Sequence, residues 1–278
     1  MSVKIGVCEW AFPMWGKSAV RMAHEAGFQG VQLGDAGGIM HSDPLNDRRV
    51  QDYYLDAGAK YGIEFPQIHL YTMGHLCYYR YPMDSPEGLV AKEMVRKACI
   101  AASQMGVGSV IIDCMKLLDP AKYAHALEYA RYALKCGEEY GVQIGMECDF
   151  TMQGHFDFIE ASGGDLRLCF DTHNPCMYGT GYPPDMIRQL GPDRIDHFHV
   201  KDNRGDERGF VTYDTPLVPF GEGIANFREV CRAIKDIEYD GWVISENMYY
   251  QPDIKKDRDV VEAARQDADS LRRELNVK

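Results

Sequence analysis

Four residues with metal-binding side chains each close a short apolar run in the second half of the chain. The runs are Val142–Glu147, Leu166–Asp171, Ile195–His199 and Trp242–Glu246. If they are successive parallel strands of a barrel, their carboxyl ends converge on one mouth, where three carboxylates and one imidazole would meet. Hard oxygen donors with a single nitrogen suit one divalent ion such as Mn²⁺, Mg²⁺ or Co²⁺, and Zn²⁺ also accepts this set.

Glu147 and Glu246 are the residues that we expect to transfer protons. Two carboxylates on opposite sides of a substrate can remove a proton beside a ketone and return one to the opposite face or the adjacent carbon. A metal ion at this place stabilises the enediolate oxygens formed between the two steps. A lone Glu at a strand end is as often a solvated residue or a helix-cap partner. Four such residues in register weaken that alternative.

Asp171 and His199 carry local features that fit a ligand role. Asp171 begins Asp-Thr-His-Asn-Pro175, where the proline predicts a turn that would hold the carboxylate rigidly. His197 and His199 alternate with apolar residues, so both imidazoles face one side of their strand. The later histidine is nearer the carboxyl end and is the better ligand. We expect His197 to support it or to be a core imidazole with a satisfied hydrogen bond.

Further polar and aromatic residues surround this predicted centre. Those expected to contact a substrate are Trp10, His69, His173, Asn174, Lys201 and Arg204. A sugar needs hydrogen bonds to several hydroxyls and an apolar wall, and these residue types supply both. The aromatic residues equally fit loop packing. Arg80, Arg204 and Arg208 equally fit phosphate binding or plain surface charge.

Strand-like and helix-like runs alternate from end to end, which predicts a parallel sheet with crossover helices. Eight strands are predicted near residues 3–8, 30–34, 64–69, 108–113, 142–147, 166–170, 194–200 and 241–246. Helical spacing of apolar residues is clearest in two segments. Their predicted buried faces are Ala91, Met94, Val95, Ala98, Ala101, Ala102 and Met105, and Tyr123, Leu127, Ala130, Leu134 and Gly137.

The connections between these elements are of two kinds. Short ones carry a glycine, predicted to be a left-handed helix end, at Gly27, Gly62, Gly106 and Gly141. Long ones follow strands, at residues 35–45, 70–86, 172–183 and 201–224. Loops after strands build the active face of a barrel, so we expect a lidded pocket there.

An open doubly wound sheet would show the same alternation of strand and helix. However, no G-x-G-x-x-G follows the first strand, and ligand-type residues end four consecutive strands instead of clustering at one switch point. A length of 278 residues also suits a barrel, which typically needs about 250. The predicted fold is therefore α/β, a single (β/α)8 TIM-barrel domain over residues 1–278.

Composition limits the classes of partner. The formal net charge of −12 disfavours a nucleic-acid backbone. No apolar run reaches the roughly 18 residues of a membrane helix. The nine cysteines are scattered without a C-x-x-C pair, which favours reduced thiols. We therefore expect a small-molecule substrate, neither nucleic acid nor membrane as partner, and a cytoplasmic location.

The sequence resembles the xylose-isomerase-like sugar isomerase/epimerase family over nearly its whole length. The C-terminal motifs that carry the resemblance are Gly191–Asn203, Val218–Gly223 and Tyr239–Asn247. The middle segments are Arg80–Ser85, Met94–Ala98 and Met105–Gly108. Within the family the sequence is most similar to L-ribulose or L-xylulose 5-phosphate 3-epimerases.

The resemblance implies a TIM barrel that holds one divalent ion, usually Mn²⁺. The positions matching the family's ligands are Glu147, Asp171, His199 and Glu246, of which the first and last also form the acid/base pair. Family members are often dimers or tetramers, so a homo-oligomer is expected.

Two positions depart from the pattern of ketose 3-epimerases that act on free sugars. Gln153 stands where those enzymes often have a further Glu, six residues after Glu147. Asn174 stands where they often have His, and His173 lies one residue earlier. Both departures leave the metal ligands intact and bear on the identity of the substrate.

The predicted function is a metal-dependent isomerase or 3-epimerase of a ketose or ketose phosphate, acting through a cis-enediolate. The same chemistry with a leaving group at the β position gives a dehydratase or lyase on a keto-sugar, keto-inositol or 3-keto-glycoside. The abasic-site endonuclease branch would require a three-metal cluster with more strand-end histidines than His69 and His199, and a basic groove. A non-catalytic binding barrel is the last alternative.

Overall fold

A computed structural model describes residues 3–34, 44–75, 77–115, 120–205 and 215–277. Its eight strands form a closed barrel in sequence order. They are β1 (Lys4–Cys8), β2 (Gly30–Gly34), β3 (Gln67–Leu70), β4 (Ser109–Asp113), β5 (Gln143–Glu147), β6 (Leu166–Asp171), β7 (Ile195–Val200) and β8 (Trp242–Ser245). This confirms the predicted TIM barrel. The largest boundary difference is at β3, which begins at Gln67 instead of residue 64.

Helices follow the strands around the barrel. The α-helices of the described residues are α1 (Lys17–Ala26), α2 (Arg48–Tyr61), α3 (Tyr71–His75), α4 (Pro86–Met105), α5 (Pro120–Tyr140), α6 (Met152–Ser162), α7 (Asn174–Tyr178), α8 (Pro183–Leu190), α9 (Phe227–Asp236), α10 (Pro252–Lys255) and α11 (Val260–Leu275). Short 3-10 helices span Glu9–Ala11, Pro44–Asn46, Tyr78–Arg80 and Pro192–Arg194.

The predicted glycine joints are confirmed. Gly27, Gly62, Gly106 and Gly141 follow α1, α2, α4 and α5, and all four have a positive φ. At Gly106 the backbone N–H bonds back to the carbonyls of Ala102 and Ser103, which ends α4 and turns the chain into β4.

The predicted buried face agrees with the observed burial better on α4 than on α5. On α4 the predicted face is buried except at Met94, which is half-buried. On α5 the prediction was partly wrong. The fully buried positions are Ala126, Tyr129, Ala130, Ala133, Cys136 and Gly137. Tyr123 is half-buried, and its ring packs against Phe150 and against Phe158 of α6. The periodicity alone did not distinguish packing on a neighbouring helix from packing on the sheet.

Two of the connections predicted as long loops contain short helices. Residues 70–86 include α3 and the helix Tyr78–Arg80, and residues 172–183 include α7. Tyr79 is fully buried and its hydroxyl donates to the carbonyl of Met115, so this tyrosine packs a loop. Residues 35–43 and 206–214, with Arg208, lie outside the described residues.

Contacts group the chain into two compact units. The first consists of Met1–Val31, Ala57–Glu64 and Phe170–Lys278. Within it β1 pairs in parallel with β8, β8 pairs with β7, and α1 packs against α11. Its core includes Ile5, Val7, Phe198, Ile234, Val243 and Leu271.

The second unit consists of Gln32–Asp56 and Phe65–Cys169. Within it β2 to β6 pair in parallel in sequence order, and α4 packs against α5. Its core includes Leu33, Ile68, Ala98, Val110, Ala130 and Met146. The single domain over residues 1–278 stays a prediction.

Two further sequence expectations concern the cysteines and membranes. None of the nine cysteines forms a disulfide. Among the described helices, none combines the length and the apolar character that a membrane span requires.

Candidate active site

Lys201 lies between two of the predicted metal ligands. Its Nζ is 2.7 Å from Asp171 Oδ2 and 2.7 Å from Glu246 Oε2. Asp171 is the last residue of β6, Glu246 directly follows β8, and Lys201 directly follows β7. The side chains of Lys201, Asp171 and Glu246 are only 16%, 1% and 11% exposed. Buried carboxylates require a compensating charge, so this place attracts a cation.

His199 lies beside the same carboxylates. Its Nδ1 is 3.6 Å from Glu246 Oε2, and its ligand atom lies within 4.8 Å of that of Asp171. The His197 ring is 4.9 Å from the His199 ring and its Nδ1 is 2.8 Å from Asp196 Oδ1. Both imidazoles therefore lie close together, and His197 has the satisfied hydrogen bond expected of a core histidine.

The turn predicted after Asp171 is present. Asp171 Oδ1 accepts the backbone N–H groups of His173, at 2.7 Å, and of Asn174, at 2.8 Å. The chain then enters α7 with Pro175 in its first turn. Because Oδ1 is held by the backbone, the carboxylate is rigid and Oδ2 is the oxygen that meets a cation.

His173 and Asn174 are both buried beside this carboxylate. Neither ring nitrogen of His173 has a hydrogen-bond partner within the described parts of the chain. Burial, reinforced by the charge of Lys201, lowers the pKa of His173 to about 3. The imidazole is therefore neutral near pH 7, and each of its nitrogens can form a hydrogen bond with a hydroxyl group.

Trp10 contacts the other oxygen of Glu246. Its indole Nε1 donates to Glu246 Oε1 at 3.2 Å, and its ring lies edge-on to that of His199 with centroids 6.1 Å apart. Trp10 sits in the short helix after β1, next to Glu9, whose Oε1 accepts the N–H of Gly16 at 2.7 Å. The two oxygens of Glu246 thus meet an aromatic N–H on one side and an ammonium group on the other.

A second polar cluster lies at the carboxyl ends of β3, β4 and β5. His69 Nε2 is 3.8 Å from Glu147 Oε2 and 3.9 Å from Asp113 Oδ2. Asp113 and Glu147 are register partners, and each is the last residue of its strand. Cys169 Sγ is 3.8 Å from Glu147 Oε2. Carboxylates beside an imidazole again supply the donors that a divalent ion uses.

Asp113 was missed in the sequence, although it ends an apolar strand as the four predicted ligands do. Arg204 was predicted to contact a substrate. Its side chain is 56% exposed and its Nη1 is 3.8 Å from Asp253 Oδ1. A substrate role for Arg204 stays a prediction.

Asp202, which directly follows Lys201, organises the loop before α9, a role that the sequence did not predict. Its carboxylate accepts backbone N–H groups at 2.8–3.1 Å from Asn203, Gly221, Gly223 and Ala225. Burial raises the pKa of Asp202, and these four bonds oppose that rise. A Cβ at Gly223 would lie 2.2 Å from Asp202 Oδ1, so glycine is required where this loop closes on the carboxylate.

Comparison with known proteins identifies the family. The family described as Xylose isomerase-like TIM barrel matches residues 20–274, and the chain belongs to this family.

Two of its relatives are epimerases. The chain is 24% identical over 230 residues to the 2-epi-5-epi-valiolone 7-phosphate 2-epimerase of Actinoplanes sp.. The aligned region covers 80% of this chain and 79% of that protein. It is 29% identical over 153 residues to the D-psicose 3-epimerase of Enterocloster bolteae, covering 50% and 46%. The solved structure of the IOLI protein, which holds a zinc atom, shares the fold with a TM-score of 0.70 at 17% identity, over 99% of this chain and 98% of that one.

Proposed function

We propose that this protein is a divalent-metal-dependent isomerase or 3-epimerase of a ketose or ketose phosphate. One observation carries the proposal: the buried carboxylates of Asp171 and Glu246, at the ends of β6 and β8, share the Lys201 ammonium group beside His199. A buried place that already holds one positive charge between two carboxylates is suited to hold another.

The proposed metal ligands are Glu147, Asp171, His199 and Glu246. Glu147 is included because the carboxyl ends of all strands of a parallel barrel open at one end, and Glu147 ends β5. Three carboxylates and one imidazole fit Mn²⁺, the ion that we propose, and also fit Mg²⁺, Co²⁺ and Zn²⁺. The bound ion would supply a Lewis acid for the negative charge that develops on neighbouring substrate oxygens.

Residues of the protein itself carry out the remaining steps. One of Glu147 and Glu246 removes the proton from the carbon beside the ketone, and the other returns a proton to the opposite face or the adjacent carbon. Lys201 and Trp10 hold the Glu246 carboxylate in place from either side. The neutral His173 and Asn174 bind substrate hydroxyl groups, and burial of these residues excludes water.

The relatives support this choice of substrate class. One is a 2-epi-5-epi-valiolone 7-phosphate 2-epimerase and the other a D-psicose 3-epimerase. We extend the proposal to L-ribulose and L-xylulose 5-phosphates because of the motifs around Gly191–Asn203 and Tyr239–Asn247. A cytoplasmic location and a homo-oligomeric state are part of the same proposal.

The test is proton exchange in D₂O. The Mg²⁺-loaded protein is incubated with ketopentoses, ketohexoses, their phosphates and 3-keto-glycosides, and deuterium incorporation is followed by NMR. We expect deuterium at the carbon beside the carbonyl, together with the epimer or isomer. Glu246→Gln should slow incorporation by about 100- to 10,000-fold, because the amide cannot transfer the proton.

Glu222→Gln is the matched control, since Glu222 is an exposed glutamate paired only with Lys256 among the described residues. It should exchange at the wild-type rate. Loss of water or of an aglycone with little epimer would replace the epimerase by the dehydratase or lyase. No exchange with any member of the panel, despite bound metal, would reject the proposed function.

A further inference from the structure

A buried hydrogen-bond network connects α11 with the segments that follow β7 and β8. Its central residue is Asn247, which directly follows Glu246 and is fully buried. The Asn247 Nδ2 group donates to Val218 O at 3.0 Å and to Asp267 Oδ2 at 2.7 Å, and its Oδ1 accepts the N–H of Asp202 at 3.2 Å. Both N–H bonds and the carbonyl of the amide are therefore in use.

Asp267 lies on the buried face of α11 and is fully buried. Its Oδ1 accepts a hydrogen bond from the N–H of Phe220 at 2.9 Å, and its Oδ2 accepts one from the Asn247 Nδ2 group. Each oxygen thus has its own donor, one from the loop before α9 and one from the segment after β8. An isosteric amide at position 267 could accept only one of these two donors and would present N–H to the other.

The network ends next to the residues of the candidate site. Asp202, which follows Lys201, is bonded to Asn247, which follows Glu246. Lys201 Nζ in turn bonds the Glu246 carboxylate. Lys201 and Glu246 therefore contact each other in the candidate site. The residues that follow them, Asp202 and Asn247, contact each other next to α11. A shift of either neighbour changes the geometry of the pair.

We propose that Asp267 and Asn247 are positioning residues, which act through this network to fix Lys201 and Glu246 at their working separation. The inference rests on the proposed function for its catalytic consequence. Its structural part, the coupling of α11 to the strand ends, stands independently. A displacement of about 1 Å at a reacting group can lower a rate about 100-fold, so small changes at position 267 would be visible in catalysis.

The decisive variant is Asp267→Asn. We expect kcat to fall by roughly 10- to 100-fold with little change in KM, because substrate binding groups stay in place while the proton-transfer group moves. Hydrogen exchange should also become faster at two places far apart in sequence. These are the amides of Gly221, Gly223 and Ala225, which bond Asp202, and the amide of Glu246, which bonds Val200 O.

Asp259→Ala is the matched control on the same helix. Asp259 caps α11 by accepting the N–H of Glu262 at 2.9 Å and lies outside the network. It should lower the melting temperature without changing kcat or the exchange of the Glu246 amide. An equal loss of kcat in this control would assign the effect to stability and overturn the proposal.

Asn247→Ser tests the other partner, and it decides the question if Asp267→Asn does not fold. Wild-type kcat together with wild-type exchange at Glu246 in either folded variant would also overturn the proposal. If the wild-type protein turns over no member of the panel, the proposed function fails, and amide exchange alone then decides whether α11 controls the strand ends.

Discussion

Two pairs of buried carboxylates in the unit containing β1, β7 and β8 are compensated in different ways. Asp171 and Glu246 share the ammonium group of Lys201. Asp202 and Asp267 instead accept backbone N–H groups and the Asn247 amide. A lysine side chain can swing on its flexible stem, whereas backbone N–H groups are fixed by the fold.

This difference separates a binding site from a scaffold. A carboxylate compensated by a side-chain cation can accept a metal ion as a second partner, because the flexible lysine stem can adjust its position. A carboxylate compensated by backbone donors cannot be released without unfolding its loop. A buried carboxyl group is common to all four residues, so the type of donor is what indicates function.

The strongest test of the comparison is Lys201→Met. Without the ammonium group two mostly buried carboxylates lose their shared partner, and we expect the metal-free protein to lose about 3–5 kcal/mol of unfolding free energy. Mn²⁺ should restore much of this loss, because binding to the folded state stabilises it. Urea unfolding with EDTA and with added Mn²⁺ measures both effects.

Lys256→Met is the control for that experiment. Lys256 pairs with Glu222 on the surface, with both side chains nearly half exposed. It should change stability by less than about 1 kcal/mol and respond to Mn²⁺ as the wild type does. A loss as large as that of Lys201→Met would contradict the special role of the buried pair.

Asp202→Asn should have a smaller effect on stability, with a different response to metal. An asparagine cannot accept all four N–H groups that meet Asp202, and an unmet buried donor costs about 1–3 kcal/mol. Mn²⁺ should not selectively rescue this variant. If it does so as fully as it rescues Lys201→Met, then Asp202 belongs to the cation site and the comparison fails.

Per pH unit, the dependence of stability on pH is the smallest of the predicted effects. Burial raises the pKa of Asp267 to about 7, from the 3.8 of an unperturbed carboxyl. Between pH 4 and pH 7 the folded state keeps a proton on Asp267 that the unfolded state has released. The contribution of Asp267 to the free energy of unfolding is therefore fully present below pH 4 and is lost as the pH rises through 7. The slope is at most about 1.4 kcal/mol per pH unit.

Urea unfolding of wild type and Asp267→Asn across this pH range measures that contribution. The difference in unfolding free energy, variant minus wild type, should rise from pH 4 to pH 7 and then level off. A constant difference would show that the pKa of Asp267 is not raised. The hydrogen bonds to its carboxylate would then stabilise the negative charge as well as water does.

The strand ends were predictable from sequence because an apolar run that stops at a polar residue is a local pattern. Lys201 was predicted as a substrate contact, and its spacing from His197 and His199 is a signal that could have placed it on the same side of the strand as His199. What the spacing does not give is the distance from Lys201 to residues on other strands. Its place between Asp171 and Glu246 therefore needed the structure.

The network around Asn247 was not predicted, although one signal was present. Asp267 interrupts a buried helical stripe of Ala263, Ala264, Ala268 and Leu271. An acidic residue on such a face requires a partner. Its partners, however, lie 20 and 47 residues away in sequence, and no local pattern connects them.

Trp10 makes the candidate site optically observable. Its indole donates to the Glu246 carboxylate and its ring lies edge-on to His199, so a change of charge at either residue alters the field at the fluorophore. The chain has two other tryptophans, Trp15 and Trp242. With both replaced by phenylalanine, the remaining emission would report ligands arriving at the site before any product is known.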